Sequence, residues 1–100
     1  TGNASGIVDG AAAVVLTTAE RADADGLDIW ARIRSWASVG VDPSEMGIGP
    51  VPAIRACLKR AGVSLDEVDR FEINEAFAAQ ALANIGELSI PENRLNICGG

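Results

Sequence analysis

Short apolar runs alternate with amphipathic stretches along this chain, and turn residues mark most of the joins. Ala11 to Thr17 is an apolar run bounded by Asp9-Gly10 and Thr18, which reads as a buried strand. Thr18 is placed to N-cap a short helix running to about Asp25, with Gly26 as its stop. From Ile29 to Val39 the pattern has period two. Ile29, Ala31, Ile33 and Ser35 fall on one face, Trp30, Arg32, Arg34 and Trp36 on the other. This predicts a long strand, bent near Ser35. Gly40 to Pro52 holds three prolines and three glycines and reads as a loop. Pro52 suits the first turn of a helix that runs to about Ala61, with Ile54, Leu58 and Ala61 on its apolar face and Gly62 as its end. Ser64 and Glu67 have capping-box spacing and open a single helical turn. Asp69 to Ile73 reads as a strand, residues 75–86 as an alanine-rich helix, and Leu95 to Cys98 as a last short strand before Gly99-Gly100.

The order β-α-β-α-β-α-β predicts an α/β fold with a helix-covered parallel sheet. One hundred residues make one small domain or part of a larger one. The chain does not begin with Met, which suggests a cut or processed start, and it stops just after a strand. The expectation is a fragment, or a module that packs on something else.

Charge narrows the partners. A net charge of −6 without a basic stripe argues against nucleic acid and against an anionic membrane surface. No apolar run reaches transmembrane length, and no signal-peptide pattern opens the chain. Cys57 and Cys98 are far apart, with neither a disulfide framework nor zinc spacing, so no metal site is expected. Unpaired cysteines fit a reducing, cytoplasmic-type compartment. There are no histidines, so proton transfer near neutral pH needs another base.

Asn74-Glu75-Ala76-Phe77 stands where an expected strand runs into a helix. Sites in open α/β sheets lie outside the carboxyl ends of strands, so the Asn74 amide is a candidate oxyanion-stabilising donor. On position alone, capping the following helix is the commoner use of such an Asn. Glu75 then reads as a first-turn carboxylate favoured by the helix dipole, and Phe77 as core. Gly47-Ile48-Gly49-Pro50 is a weak phosphate-loop candidate, because Pro50 and Pro52 remove N–H donors. A rigid loop shaping a pocket, with Met46 as soft apolar lining, is the better reading. Cys98 sits at an expected strand end but has no His to activate it. Cys57 reads as a small buried hydrophobe.

Four blocks in order carry a resemblance: GNASG at 2–6, DGAAAVVL at 9–16, ARIRSWASVGVDPSEMGIGPVPAIR at 31–55 and NEAFAAQALA at 74–83. Together they resemble the thiolases, coenzyme A-dependent acyltransferases that make or cleave 3-ketoacyl-CoA. The resemblance implies a five-layer α/β/α/β/α sandwich of two similar halves, each with a mixed five-stranded sheet. Residues 1–28 would end the first half, and residues 29–100 would form an incomplete second half, βαβαβ. It implies ping-pong acyl transfer through a cysteine thioester. Asn74 matches the motif Asn whose amide holds an oxyanion-hole water. Ser5 matches a loop residue contacting the pantetheine arm, Ala76 and Phe77 match residues lining its tunnel, and Met46 matches one near the acyl end.

The family's nucleophilic Cys, its GHP histidine and its CxGxG cysteine have no counterpart among these residues, and Cys57 and Cys98 match none of them. Cys98 stands where many members have Asn, and Val8 where a polar residue is frequent. The implied substrate is acyl-CoA, with no prosthetic group. The implied partners are the remainder of the fold and, when complete, further copies in a homo-oligomer. The compartment would be cytoplasmic, or a mitochondrial or peroxisomal matrix. Alone, the 100 residues should be inactive. A non-catalytic thiolase-like piece and an acyl-CoA or lipid-binding module remain alternatives.

Overall fold

A computed structural model describes residues 2–100. Three α-helices form its frame: α1, Ala19–Ala24; α2, Pro50–Ala61; and α3, Ala78–Leu88. Three 3₁₀ turns, Pro43–Ile48, Leu65–Glu67 and Glu92–Arg94, connect and flank them.

The helix ends follow local chemistry. Thr18 caps α1 through its hydroxyl, which accepts from the Arg21 N–H at 3.2 Å. α2 starts at Pro50, two residues before the expected Pro52, because both prolines fall among first-turn positions whose N–H groups have no helical partner. Gly62, with φ 66°, then closes α2: its N–H reaches the Lys59 carbonyl and the Val63 N–H reaches the Leu58 carbonyl. The Ser64–Glu67 box forms as expected, with the Glu67 carboxylate accepting from the Ser64 N–H and hydroxyl, both at 2.8 Å.

The core lies between α2, α3 and the segments beside them. Val51, Phe71, Leu88 and Ile90 are buried, and Ile48, Ile54, Leu65, Val68, Ile73, Ile85 and Leu95 close around them. Each fully buried side chain of this kind contributes roughly 1.5–3 kcal/mol. The exposed Arg55–Glu87 pair across α2 and α3, 4.0 Å apart, is a minor term beside that. Arg94 joins the elements from another side, donating to the carbonyls of Asp66 and Val68 at 3.0 and 3.1 Å.

The expected strands 11–17 and 29–39 do not form among the described residues. A strand exists only by exchanging hydrogen bonds with a neighbour, and neither segment has one alongside. Their apolar side chains stand exposed, Val15 at 86% and Trp30 at 93%. Of the expected strands 69–73 and 95–98, the structure has one parallel bridge, Phe71 with Leu95. The Phe71 N–H donates to the Arg94 carbonyl at 2.8 Å, and the Asn96 N–H donates to the Phe71 carbonyl at 2.9 Å. At Asn96, φ 44°, the backbone leaves the ladder and turns, closed by the Gly99 N–H on the Asn96 carbonyl. Cys98 is therefore an exposed turn residue and not a strand end.

Candidate functional site

α3 begins at Ala78, not at residue 75, and this shift sets up the site. Residues 74–77 stay non-helical, with Phe77 extended at φ −140°, ψ 140°, because the backbone of 76–78 is taken by the Asn3-Ala4-Ser5 loop. Ala4 and Phe77 form an antiparallel bridge. The Ser5 N–H donates to the Ala76 carbonyl at 3.0 Å, and the Ala78 N–H donates to the Asn3 carbonyl at 2.9 Å. Two segments more than seventy residues apart are thus laced at the start of α3.

Against them lies the 3₁₀ turn carrying Met46 and Gly47. Asp42 caps this turn, accepting from the Ser44 hydroxyl at 2.6 Å and the Ser44 N–H at 2.8 Å. Those bonds, the hydroxyl's first, hold the Asp42 carboxyl below the usual range. Buried Asn84 of α3 donates to the Gly47 carbonyl at 3.0 Å and to the Gln80 carbonyl at 2.8 Å, drawing turn and helix together.

Between these elements is a pocket of about 250 Å³, lined by Met46, Gly47 and Pro50 on one side and Asn74, Ala76, Phe77 and Gln80 on the other. Its walls are mostly apolar, and its polar side chains are two neutral amides. A broader cleft of about 460 Å³ lies beyond the Gly47–Gln80 contact, but none of the five sequence-predicted site residues lines it.

Asn74, Ala76, Phe77 and Met46 therefore converge on one cavity, and Ser5 is fixed to its rim by the Ala76 carbonyl. Asn74 does not cap α3: it lies four positions before Ala78, the N-cap position is Phe77, and α3 has no side-chain cap. Among the described residues, the hydrogen bonds in this stretch go to Ile73 and Glu75, not to the Asn74 amide. Phe77 is not core, being 51% exposed. Glu75 is not in a helical turn; its Oε1 accepts from Asn96 Nδ2 at 2.7 Å. Cys57 is half-buried, its carbonyl accepting from the Ser35 hydroxyl at 3.0 Å. Sequence reasoning passed over Gln80, Asn84 and Asn96. The one available signal was an amide pair at i, i+4 inside an otherwise alanine-rich helix. Among the described residues no three His, Cys, Asp or Glu side chains gather as a metal ion requires, and no helix is long and apolar enough to cross a membrane.

A family model described as the thiolase C-terminal domain matches residues 27–100. The chain belongs to the thiolase family. It is 57% identical to an acetyl-CoA acetyltransferase of Pseudomonas aeruginosa over 99% of its own length and 25% of that protein's. It is 53% identical to the cytosolic acetyl-CoA acetyltransferase of Mus musculus, covering 98% of this chain and 25% of that protein. The crystal structure of human mitochondrial 3-ketoacyl-CoA thiolase superposes with a TM-score of 0.81 at 43% identity, over 83% of this chain and 21% of that one. The chain thus has part of the thiolase fold and spans about a quarter of the length of the curated relatives it matches.

Proposed function

We propose that this chain supplies one wall of the acyl-CoA site of a thiolase, an enzyme that cleaves 3-ketoacyl-CoA with coenzyme A or runs the reverse Claisen condensation. Asn74 is the catalytic residue contributed here. Its amide stabilises the oxygen of the reacting thioester, directly or through a held water, as negative charge develops there. Met46 lines the acyl end. Ala76 and Phe77 line the pantetheine tunnel, and Ser5 contacts the pantetheine arm at its rim.

The observation that carries this reading is the convergence of Met46, Asn74, Ala76 and Phe77 on one largely apolar pocket, where the Asn74 amide has no hydrogen-bond partner among the described residues. The apolar walls suit a pantetheine and acyl chain, and they raise the value of a hydrogen bond to developing charge. The chain has no histidine, so the base comes from other residues of the complete enzyme, as does the cysteine that carries the acyl group. Residues 1–28 then close the first half of a five-layer α/β/α/β/α sandwich and residues 29–100 begin the second. The start of the family match at residue 27 supports that boundary. The complete protein is a homo-oligomer with acyl-CoA as substrate and no prosthetic group, in the cytoplasm or an organellar matrix. The alternative of a free-standing acyl-CoA binder is disfavoured because no Lys or Arg lines the pocket to meet the nucleotide phosphates.

Thiolysis of acetoacetyl-CoA by the complete enzyme carrying Asn74→Ala tests the reading. Turnover should fall roughly ten- to a thousandfold, the scale of losing one oxyanion-hole donor. A wild-type rate would reject the role of Asn74.

A further inference from the structure

Asn96 does something unusual for a residue at the end of a parallel pairing. Its backbone turns out of the ladder, but its side chain takes the next rung. Oδ1 accepts from the Ile73 N–H at 2.9 Å, and Nδ2 donates to the Ile73 carbonyl at 2.9 Å. The carboxamide thus satisfies both backbone groups of Ile73, the role two successive peptide groups of a longer partner strand would fill. The same Nδ2 donates to Glu75 Oε1 at 2.7 Å. One side chain therefore grips Ile73 and Glu75, the residues immediately before and after Asn74. Glycine at position 100 leaves room for this grip, since a Cβ there would collide with the Glu75 carboxylate and come within 2.9 Å of Asn96 Nδ2.

We propose that Asn96 is a positioning residue for Asn74: by holding the Ile73 backbone on one side and the Glu75 carboxylate on the other, it fixes the direction in which the Asn74 amide enters the pocket. This rests on the catalytic role of Asn74 proposed above. The rim of the pocket is held independently, by the Ser5 N–H on the Ala76 carbonyl and the Ala78 N–H on the Asn3 carbonyl. Loss of the clamp therefore loosens the amide without releasing the wall that meets the substrate's arm. No shorter polar residue reproduces the clamp, because it needs a donor and an acceptor side by side on one planar group.

The test is a kinetic cycle in the complete enzyme, comparing wild type, Asn74→Ala, Asn96→Ala and the double variant in acetoacetyl-CoA thiolysis. Asn96→Ala should lower kcat roughly ten- to a hundredfold, the cost of misplacing a reacting group by about an ångström, with KM for coenzyme A changed less than about twofold. In the Asn74→Ala background the same change should cost less than about twofold more, because it acts through an amide already gone. A kcat loss of equal size in both backgrounds, or a rise in KM matching the fall in kcat, would overturn the proposal in favour of a general structural role. Should Asn96→Ala fail to fold, Glu75→Ala removes only the 2.7 Å bond and leaves the rung to Ile73. It should lower kcat about three- to tenfold at constant KM, and a wild-type kcat would overturn the clamp. If Asn74→Ala itself turns over at the wild-type rate, it is the catalytic reading of Asn74 that fails, an outcome distinct from the others.

Discussion

Ser89 ends α3 in the left-handed region, φ 53°, where its N–H reaches the Gly86 carbonyl and the Ile90 N–H reaches the Ile85 carbonyl. α2 makes the same closure with Gly62. A side chain in that conformation is strained and glycine is not, so Ser89→Gly should stabilise the fold by about 0.5–1 kcal/mol in chemical denaturation. An unchanged or lowered midpoint would show that the Ser89 side chain offsets the strain. At this scale the sequence singled out Met46, Asn74, Ala76, Phe77 and Ser5 as candidates, largely through the blocks that resemble thiolases, and the first four line one pocket. It misjudged Glu75 because a carboxylate near a helix start has a standard use there. Nothing local announces that a residue 21 positions later will claim it. Asn96 was illegible for the same reason, since its partners are set by a tertiary turn.

Elements defined by their own neighbours were legible. Thr18, Gly26, Gly62 and the Ser64–Glu67 pair mark boundaries through contacts a few residues long, and the structure has each of them. The start of α3 was misplaced by three residues because the Asn3–Ser5 loop competes for the backbone of 76–78. Propensity in an alanine-rich stretch cannot register that competition. The caps also carry a pH dependence. The Glu67 carboxyl is held below its usual range by the Ser64 N–H first and its hydroxyl second, and that of Asp42 by the Ser44 hydroxyl and then its N–H. A depressed folded-state value means the capping contribution is complete above the unfolded pKa and disappears as pH falls through the folded one. Amide exchange of Ser64 and Ser44, corrected for intrinsic rate, should therefore lose protection below about pH 4 and keep it between about pH 5 and 7. Equal protection at pH 3 and pH 6 would contradict these caps.

On the scale of the molecule, the radius of gyration is 16.1 Å, against roughly 13 Å for a compact 100-residue domain. The excess reflects segments 11–17 and 29–34, which stand away from the core with their apolar side chains in solvent, whereas Ser35 and Trp36 are tied to α2 by the Ser35 hydroxyl on the Cys57 carbonyl and the Arg60 guanidinium on the Trp36 carbonyl. The apolar run and the period-two pattern predicted strands there, but pairing belongs to two segments at once, and among the described residues neither segment has a partner alongside. In the five-layer arrangement proposed here, neighbouring strands cover them. Trp30 and Trp36, 93% and 72% exposed, report on this. Acrylamide should quench them in the 100-residue chain nearly as well as free tryptophan, and severalfold less in the complete protein. Equal quenching in the two would argue against burial of this face.

In the function proposed above, distant segments converge to aim the Asn74 amide at an acyl-CoA thioester. A crystal structure of the complete enzyme with a non-hydrolysable acetyl-CoA analogue tests it most directly. Asn74 Nδ2 should lie within about 3.2 Å of the carbonyl oxygen or of a water bound to it, with the pantetheine arm passing between Ser5 and Phe77. An amide turned away from the ligand, or an arm threaded elsewhere, would contradict it.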